Sequence, residues 1–172
     1  MLRKTLYFFL FLFLAYCLLP VANSLSWGFY AHKRINKMAV FTLPPEMIGF
    51  YKKHIDYISE HAVDPDKRRY ANKDEGPRHY IDLDHYGLHP FDSIPKFWKN
   101  AVAKYSEDTL NAYGIVPWWI EKMVYKLSEA FKNQNVEMIL YYSANLGHYI
   151  ADAHVPLHTT QNYNGQFTNQ KG

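Results

Sequence analysis

A run of thirteen residues, Leu146 to His158, does most to limit what this chain can become. It reads L-G-H-Y-I-A-D-A-H-V-P-L-H and places three histidines and one aspartate within eleven residues. His148 and Asp152 are four apart, so on a helix they share one face about one turn from each other. Pro156 cannot continue that helix, and it pushes the residue before it toward extended geometry. His158 is therefore carried by the chain beyond the helix, free to turn toward a neighbouring point. An imidazole and a carboxylate at helical spacing, followed by an imidazole past a break, suit a borderline metal such as zinc. Each histidine alone is an ordinary helix-end residue, and His154, six residues from His148, falls off its face. Taken together, a carboxylate and an imidazole on a buried helix both need satisfying, and one cation does this for both.

The length of 172 residues bounds the chain to one domain with a hydrophobic core of useful size. Fifteen Tyr, 11 Phe and four Trp argue against disorder. The first 26 residues read as an export signal. Arg3 and Lys4 open it, Tyr7 to Leu19 is an unbroken apolar run, Pro20 ends the run, and Ala22, Ser24 and Ser26 supply small residues for cleavage. The expected cut after Ser26 makes Trp27 the new N-terminus and the product secreted or periplasmic. It also removes two of the 19 basic side chains, leaving them nearly balanced by 16 acidic ones. Such a chain has no electrostatic footprint for tight duplex binding. Any nucleic acid it handles is a substrate held at a site. The single cysteine, Cys17, lies inside the apolar run, so the mature protein has neither disulfides nor thiolate ligands.

After the signal the apolar period is helical. Ile35, Met38, Ala39 and Val40 give a first helix, and Met47, Phe50, Tyr51, His54, Ile55 and Ile58 a second, restarted after Pro44-Pro45. Pro95 to Tyr113 reads as one helix closed by Gly114, Pro117 to Phe131 as another, and Asn135 caps the last, running from Val136 to about Val155. Val63 to Arg78 is polar and turn-rich, which predicts a functional loop. Arg78 to Asp84 reads as extended chain or a single helical turn. These elements predict a single all-α domain over residues 27–172, a compact bundle around a site on the last helix.

Further ligand candidates lie around the loop. Asp64 starts it, with Asp66 competing for the same role, and His79 follows it. Read alone, Asp64 is a loop or capping carboxylate and His79 a core or capping histidine. A free Trp27 would offer an amine and a carbonyl oxygen on one residue, with His32 five residues on.

On the Trp27-Gly28 start, His32, Asp64 in A-V-D, His79 in H-Y-I-D, and the His148, Asp152 and His158 run, the chain resembles the zinc-dependent nuclease and phospholipase C superfamily. That superfamily includes single-strand-specific fungal nucleases and bacterial phosphatidylcholine-hydrolysing enzymes, and the resemblance spans residues 27–172. It implies an all-α fold and a three-zinc site. Asp64, His79 and His148 would bind one zinc, and Asp152 would bridge it to a second held by Trp27 and His32. His158 would begin the third site. That site needs a further histidine and a carboxylate, which the fourteen residues after His158 do not supply, so they are expected downstream of Gly172 in a longer gene product. Asp64 and Asp152 are the residues expected to carry catalysis by placing the ions.

The implied activity is hydrolysis of a phosphodiester by a zinc-activated hydroxide, for which two bridged zincs and an acidified water suffice. Lys67 is a candidate for substrate charge, equally readable as an exposed loop lysine. Asp82 and Asp84 are candidates to orient ligand histidines. His54, His61, His85 and His89 are assigned to surface or packing. The short Trp27-to-His32 spacing favours the nuclease branch, with aromatic side chains to stack unpaired bases. The alternatives are a phospholipase C acting on a lipid headgroup and a non-catalytic exported module that keeps a structural metal in closed coordination.

Overall fold

Asn135 starts the helix on which everything else rests. Its side chain accepts the Met138 N–H at 3.1 Å, and α9 then runs Val136–Ala153 until the Val155-Pro156 pair ends it. The structure is a computed structural model that describes residues 27–170 of the chain. The expected export signal, with Cys17 and the bond after Ser26, lies outside the described residues, as does the side chain of Trp27.

The described residues are all-helical, without a strand. In chain order the α-helices are α1 Trp27–Ala39, α2 Pro45–Lys53, α3 Ile55–Glu60, α4 Asp64–Arg68, α5 Pro90–Ser93, α6 Trp98–Tyr105, α7 Glu107–Tyr113, α8 Val116–Lys132 and α9. Short 3-10 turns cover Val40–Thr42, His61–Val63, Lys73–His79, Leu83–Tyr86 and Pro156–His158. None of the described helices is long and apolar enough to cross a membrane.

Helix α9 packs against α8, α1, α3, α4 and the turns at 61–63 and 73–79. At 1.5 Å per residue it is about 27 Å long, enough to serve two apolar clusters. Ile139, Leu140 and Ala144 join Val40, Tyr51, Ile58 and Ala130 toward its start. Tyr149 joins Ile81, Ala101, Leu110, Val116, Trp118 and Met123 toward its end. The buried polar residues His148 and Asp152 sit on the same end of α9, where α1, α4 and the 73–79 turn converge on it.

Three elements depart from the periodicity. The helix expected over residues 95–113 is broken at Ser106, whose φ is +67°, and its hydroxyl oxygen caps α7 by accepting from Thr109 N at 3.3 Å. Ser-Glu-Asp is an N-cap followed by first-turn acids, and that local signal overrides the apolar stripe. The helix expected through Ile58 breaks at His54 (φ −113°, ψ 19°). The expected loop over 63–78 contains α4 and the 73–79 turn, because Pro65 suits a first helical turn and Asn72 caps the second by accepting from Asp74 N at 3.0 Å.

Tyr80 is extended, and the chain then leads into the 83–86 turn. Ile81 N donates to His158 O at 2.9 Å and Leu83 N to Thr159 O at 3.0 Å. These bonds pin the chain beyond α9 beside His79. Asp84 continues the clamp, accepting from the Thr160 hydroxyl at 2.8 Å and from Gln161 N at 3.1 Å. Gly114 closes α7 at φ +89°, where a Cβ would lie 2.2 Å from the Tyr80 carbonyl oxygen.

Candidate metal centre

Asp152 ends the buried face of α9, and both of its oxygens look into imidazoles. Oδ2 lies 2.8 Å from His79 Nδ1 and 3.1 Å from His148 Nε2. Oδ1 lies 3.2 Å from His32 Nε2 and 3.4 Å from His158 Nδ1. Helix α1 presents His32, the 73–79 turn presents His79, and the pairing of residues 81 and 83 with 158 and 159 presents His158. On the Oδ2 side Asp66 completes the set, its Oδ1 being 3.8 Å from His79 Nδ1 and 3.9 Å from His148 Nε2.

These separations can be compared with what an ion requires. A tetrahedron with zinc bonds of about 2.0–2.1 Å has edges of about 3.3–3.4 Å. Two groups of converging atoms, His32/His148/Asp152 and Asp66/His79/His148, could each hold a metal ion. The donors are imidazole nitrogen and carboxylate oxygen, which suit zinc and other first-row transition ions. His32, His79, His148 and Asp152 are all buried, whereas Asp66 is 21% and His158 35% exposed in the side chain, so the cluster opens outward at those two.

The hydrogen bonds assign the nitrogens. His148 Nδ1–H donates to Ala62 O at 2.8 Å, which leaves Nε2 with a lone pair aimed at the cluster. His79 Nδ1 lies 3.0 Å from that Nε2. Two protons cannot face each other there, so one proton is shared from His79 Nδ1 to His148 Nε2, and a metal ligated through Nδ1 would replace it. The acidities agree. Burial lowers His148 and prevails over Asp152, while burial also lowers His79 but its bond to Asp152 and the nearby Glu75 carboxylate prevail and raise it. Burial alone would raise the Asp152 carboxyl, and bonds from His148, His32 and His79 instead hold it far below the usual carboxylate range. His158 Nδ1–H donates to His79 O at 3.1 Å, so Nε2 is its free nitrogen. His32 Nδ1 and His79 Nε2 are buried without a hydrogen-bond partner.

Of the residues singled out in the sequence, the fold brings together His32, His79, His148, Asp152 and His158. Asp64 stands apart from that cluster. It opens α4, but its Oδ2 binds His61 Nδ1 at 2.6 Å and its Oδ1 binds Lys67 Nζ at 3.2 Å. Burial raises its carboxyl, and those two bonds outweigh it and hold it below its ordinary value. Lys67 is 57% exposed in the side chain and engaged with Asp64. Trp27 begins α1 in its backbone, and its role as an amine ligand depends on a cut outside the described residues. His154 is exposed and bonded to Ile150 O at 2.7 Å.

Asp82 and Asp84 do not orient the site histidines. Asp84 holds the chain after His158, and Asp82 is bonded to none of them. Burial and the Asp84 charge raise the Asp82 carboxyl to about 6. From about 4, the unfolded value, up to 6, the native state binds more of this proton than the unfolded chain, so this group lowers stability as pH rises. Asp82→Asn is expected to remove that slope, gaining stability relative to wild type at pH 7 and little at pH 4, as read by urea midpoints. A variant equally shifted at both pH values would refute the assignment.

The residue missed entirely was Glu75. It is fully buried, and although burial raises its carboxyl, the neighbouring His79 ring, the bond from Tyr149 and the charge of Arg68 hold it at about 2. Its four-residue spacing from His79 was the available signal.

The fold and the cluster define an all-helical protein whose buried histidines and aspartates could hold a metal ion. No family model, curated protein or solved structure matches the chain.

Proposed function

We propose that this chain is a zinc-dependent phosphodiesterase of the nuclease and phospholipase C type, exported and acting on single-stranded nucleic acid. The observation that carries the reading is Asp152, whose Oδ2 faces His79 and His148 while its Oδ1 faces His32. A carboxylate shared in this way suits a pair of adjacent ions. His79, His148, Asp66 and Asp152 Oδ2 would hold one, and His32 with Asp152 Oδ1 the second, with Trp27 joining it if its amine is freed. His158 Nε2 would begin a third position, for which no further group gathers among the described residues.

Bound zinc supplies Lewis acidity toward an anionic phosphodiester and brings the acidity of water near neutral pH. The chain's own part is to hold those charges in place and to leave one side open. The exposure of Asp66 and His158 supports an open site over the closed coordination of a structural metal. Substrate preference rests on the short Trp27-to-His32 spacing, which resembles the nuclease branch; the chain's near-neutral charge opposes tight duplex binding only.

Zinc at a hundred times its dissociation constant is expected to stabilise the protein by about 2.7 kcal/mol, or about 5–10 °C in melting midpoint. A chelator should reverse the shift and abolish hydrolysis of single-stranded DNA or RNA. Cleavage of phosphatidylcholine vesicles in preference to nucleic acid would move the assignment to the phospholipase branch. Tight zinc with no phosphodiester cleaved would leave a metal-binding module.

A further inference from the structure

We propose that Glu75 is the positioning residue that fixes His79 as a metal ligand through Nδ1, an inference that rests on the metal-centre reading above. Glu75 is fully enclosed, yet its carboxylate is surrounded by donors. Arg78 Nη1 reaches Oε2 at 2.7 Å, Arg68 reaches both oxygens at 3.4 Å, and the Tyr149 hydroxyl donates to Oε1. The one neighbour not bonded to it is His79 Nε2, 3.7 Å from Oε1 and itself buried without a partner.

An imidazole that gives one nitrogen to a metal keeps a proton on the other, and a buried N–H needs an acceptor. For His148 and His158 that acceptor is a backbone carbonyl, of Ala62 and His79 respectively. His79 alone is backed by a charge. A carboxylate behind the ring raises its basicity as a ligand and fixes which nitrogen faces the ion. The anchoring extends to the rest of the site. Arg68, on α4, also donates to Asn145 and to the Tyr149 hydroxyl, both on α9 beside His148. One buried ion network thus ties together the three segments that deliver Asp66, His79 and the His148–Asp152 pair.

The test compares wild type, Glu75→Gln and Tyr149→Phe for the melting midpoint without metal, zinc affinity by chelator competition, and ring-nitrogen NMR of the zinc-loaded protein. Glu75→Gln is expected to lose 10–100-fold in zinc affinity. Tyr149→Phe, which leaves the Glu75 charge in place, should lose less zinc affinity than Glu75→Gln does. A purely structural Glu75 would shift the melting midpoint without shifting affinity, so a folded Glu75→Gln with wild-type affinity overturns the proposal. If that variant does not fold, the wild-type spectrum decides. A proton on His79 Nε2 with zinc bound supports the assignment, and one on Nδ1 overturns it. Failure of wild type to bind zinc at all would instead sink the metal-centre reading itself.

Discussion

Asp152→Asn is expected to strip metal from at least one of the two positions and, on the function proposed above, to cut phosphodiester hydrolysis by at least about a hundredfold, the upper end of what a supporting contact alone costs. The substitution keeps the shape of the side chain but replaces one ligating oxygen with an NH2 donor. Whichever way the amide lies, either His79 and His148 or His32 faces a group that cannot ligate. The metal-free protein should suffer as well, because removing one partner from a buried charged set costs about 3–5 kcal/mol. The sign of the pH dependence follows from the depressed Asp152 carboxyl. Below about pH 4 the unfolded chain takes up this proton before the native state does. Its stabilisation is therefore complete above that value and is lost as pH falls. The gap between wild type and variant should be widest near pH 7 and shrink in acid. Metal content by elemental analysis, with denaturation at pH 7 and pH 3, checks this, and a variant retaining a full complement of zinc would refute the bridging role.

Gly147→Ala should unfold more readily than wild type although alanine is the better helix former. Gly147 lies in α9 where α1 crosses it, and a Cβ there would sit 2.2 Å from Asn36 Oδ1 and 2.8 Å from its Cγ. Asn36 cannot retreat. It is 2% exposed, and its amide donates to Ala144 O at 2.9 Å and Ile58 O at 3.3 Å, joining α1 to α9 and α3. Overpacking of this kind costs about 1–3 kcal/mol, and the helix-propensity gain of about 1 kcal/mol offsets only part of the upper range. The upper range applies because the obstruction is a bonded, buried side chain. His32 is one turn before Asn36 on α1, so parting the helices should also weaken metal binding at the position proposed for His32. Gly49→Ala is the control. Gly49 sits inside α2 with nothing within 4 Å of its would-be Cβ, so that change should stabilise. Urea midpoints for the two variants moving in the same direction would remove the steric argument.

The contrast between these two glycines shows where the sequence stops being informative. Both lie in helices, and only the crossing of α1 over α9 makes one of them indispensable. The two carboxylates of α4 repeat the lesson. Asp64 and Asp66 are two residues apart, about 200° around a helix of 3.6 residues per turn, so at most one can face α9. Periodicity in a five-residue helix is too short to say which. Packing decides it, by placing His61 and Lys67 around Asp64 and leaving Asp66 toward His79 and His148.

What the sequence determined by itself was local. The Asn135 cap, the shared face of His148 and Asp152, the stop at Pro156 and the all-helical character follow from backbone hydrogen bonds and sterics acting over about four residues. Tertiary structure alone decided which distant groups meet. Glu75 carries no more apolar context in the chain than Asp82 or Asp84, yet it is buried behind His79 while Asp84 faces the chain after His158. The physical reason is that burial is a property of the space between elements. Long-range packing chooses which polar groups lose their water, and those groups must then find one another.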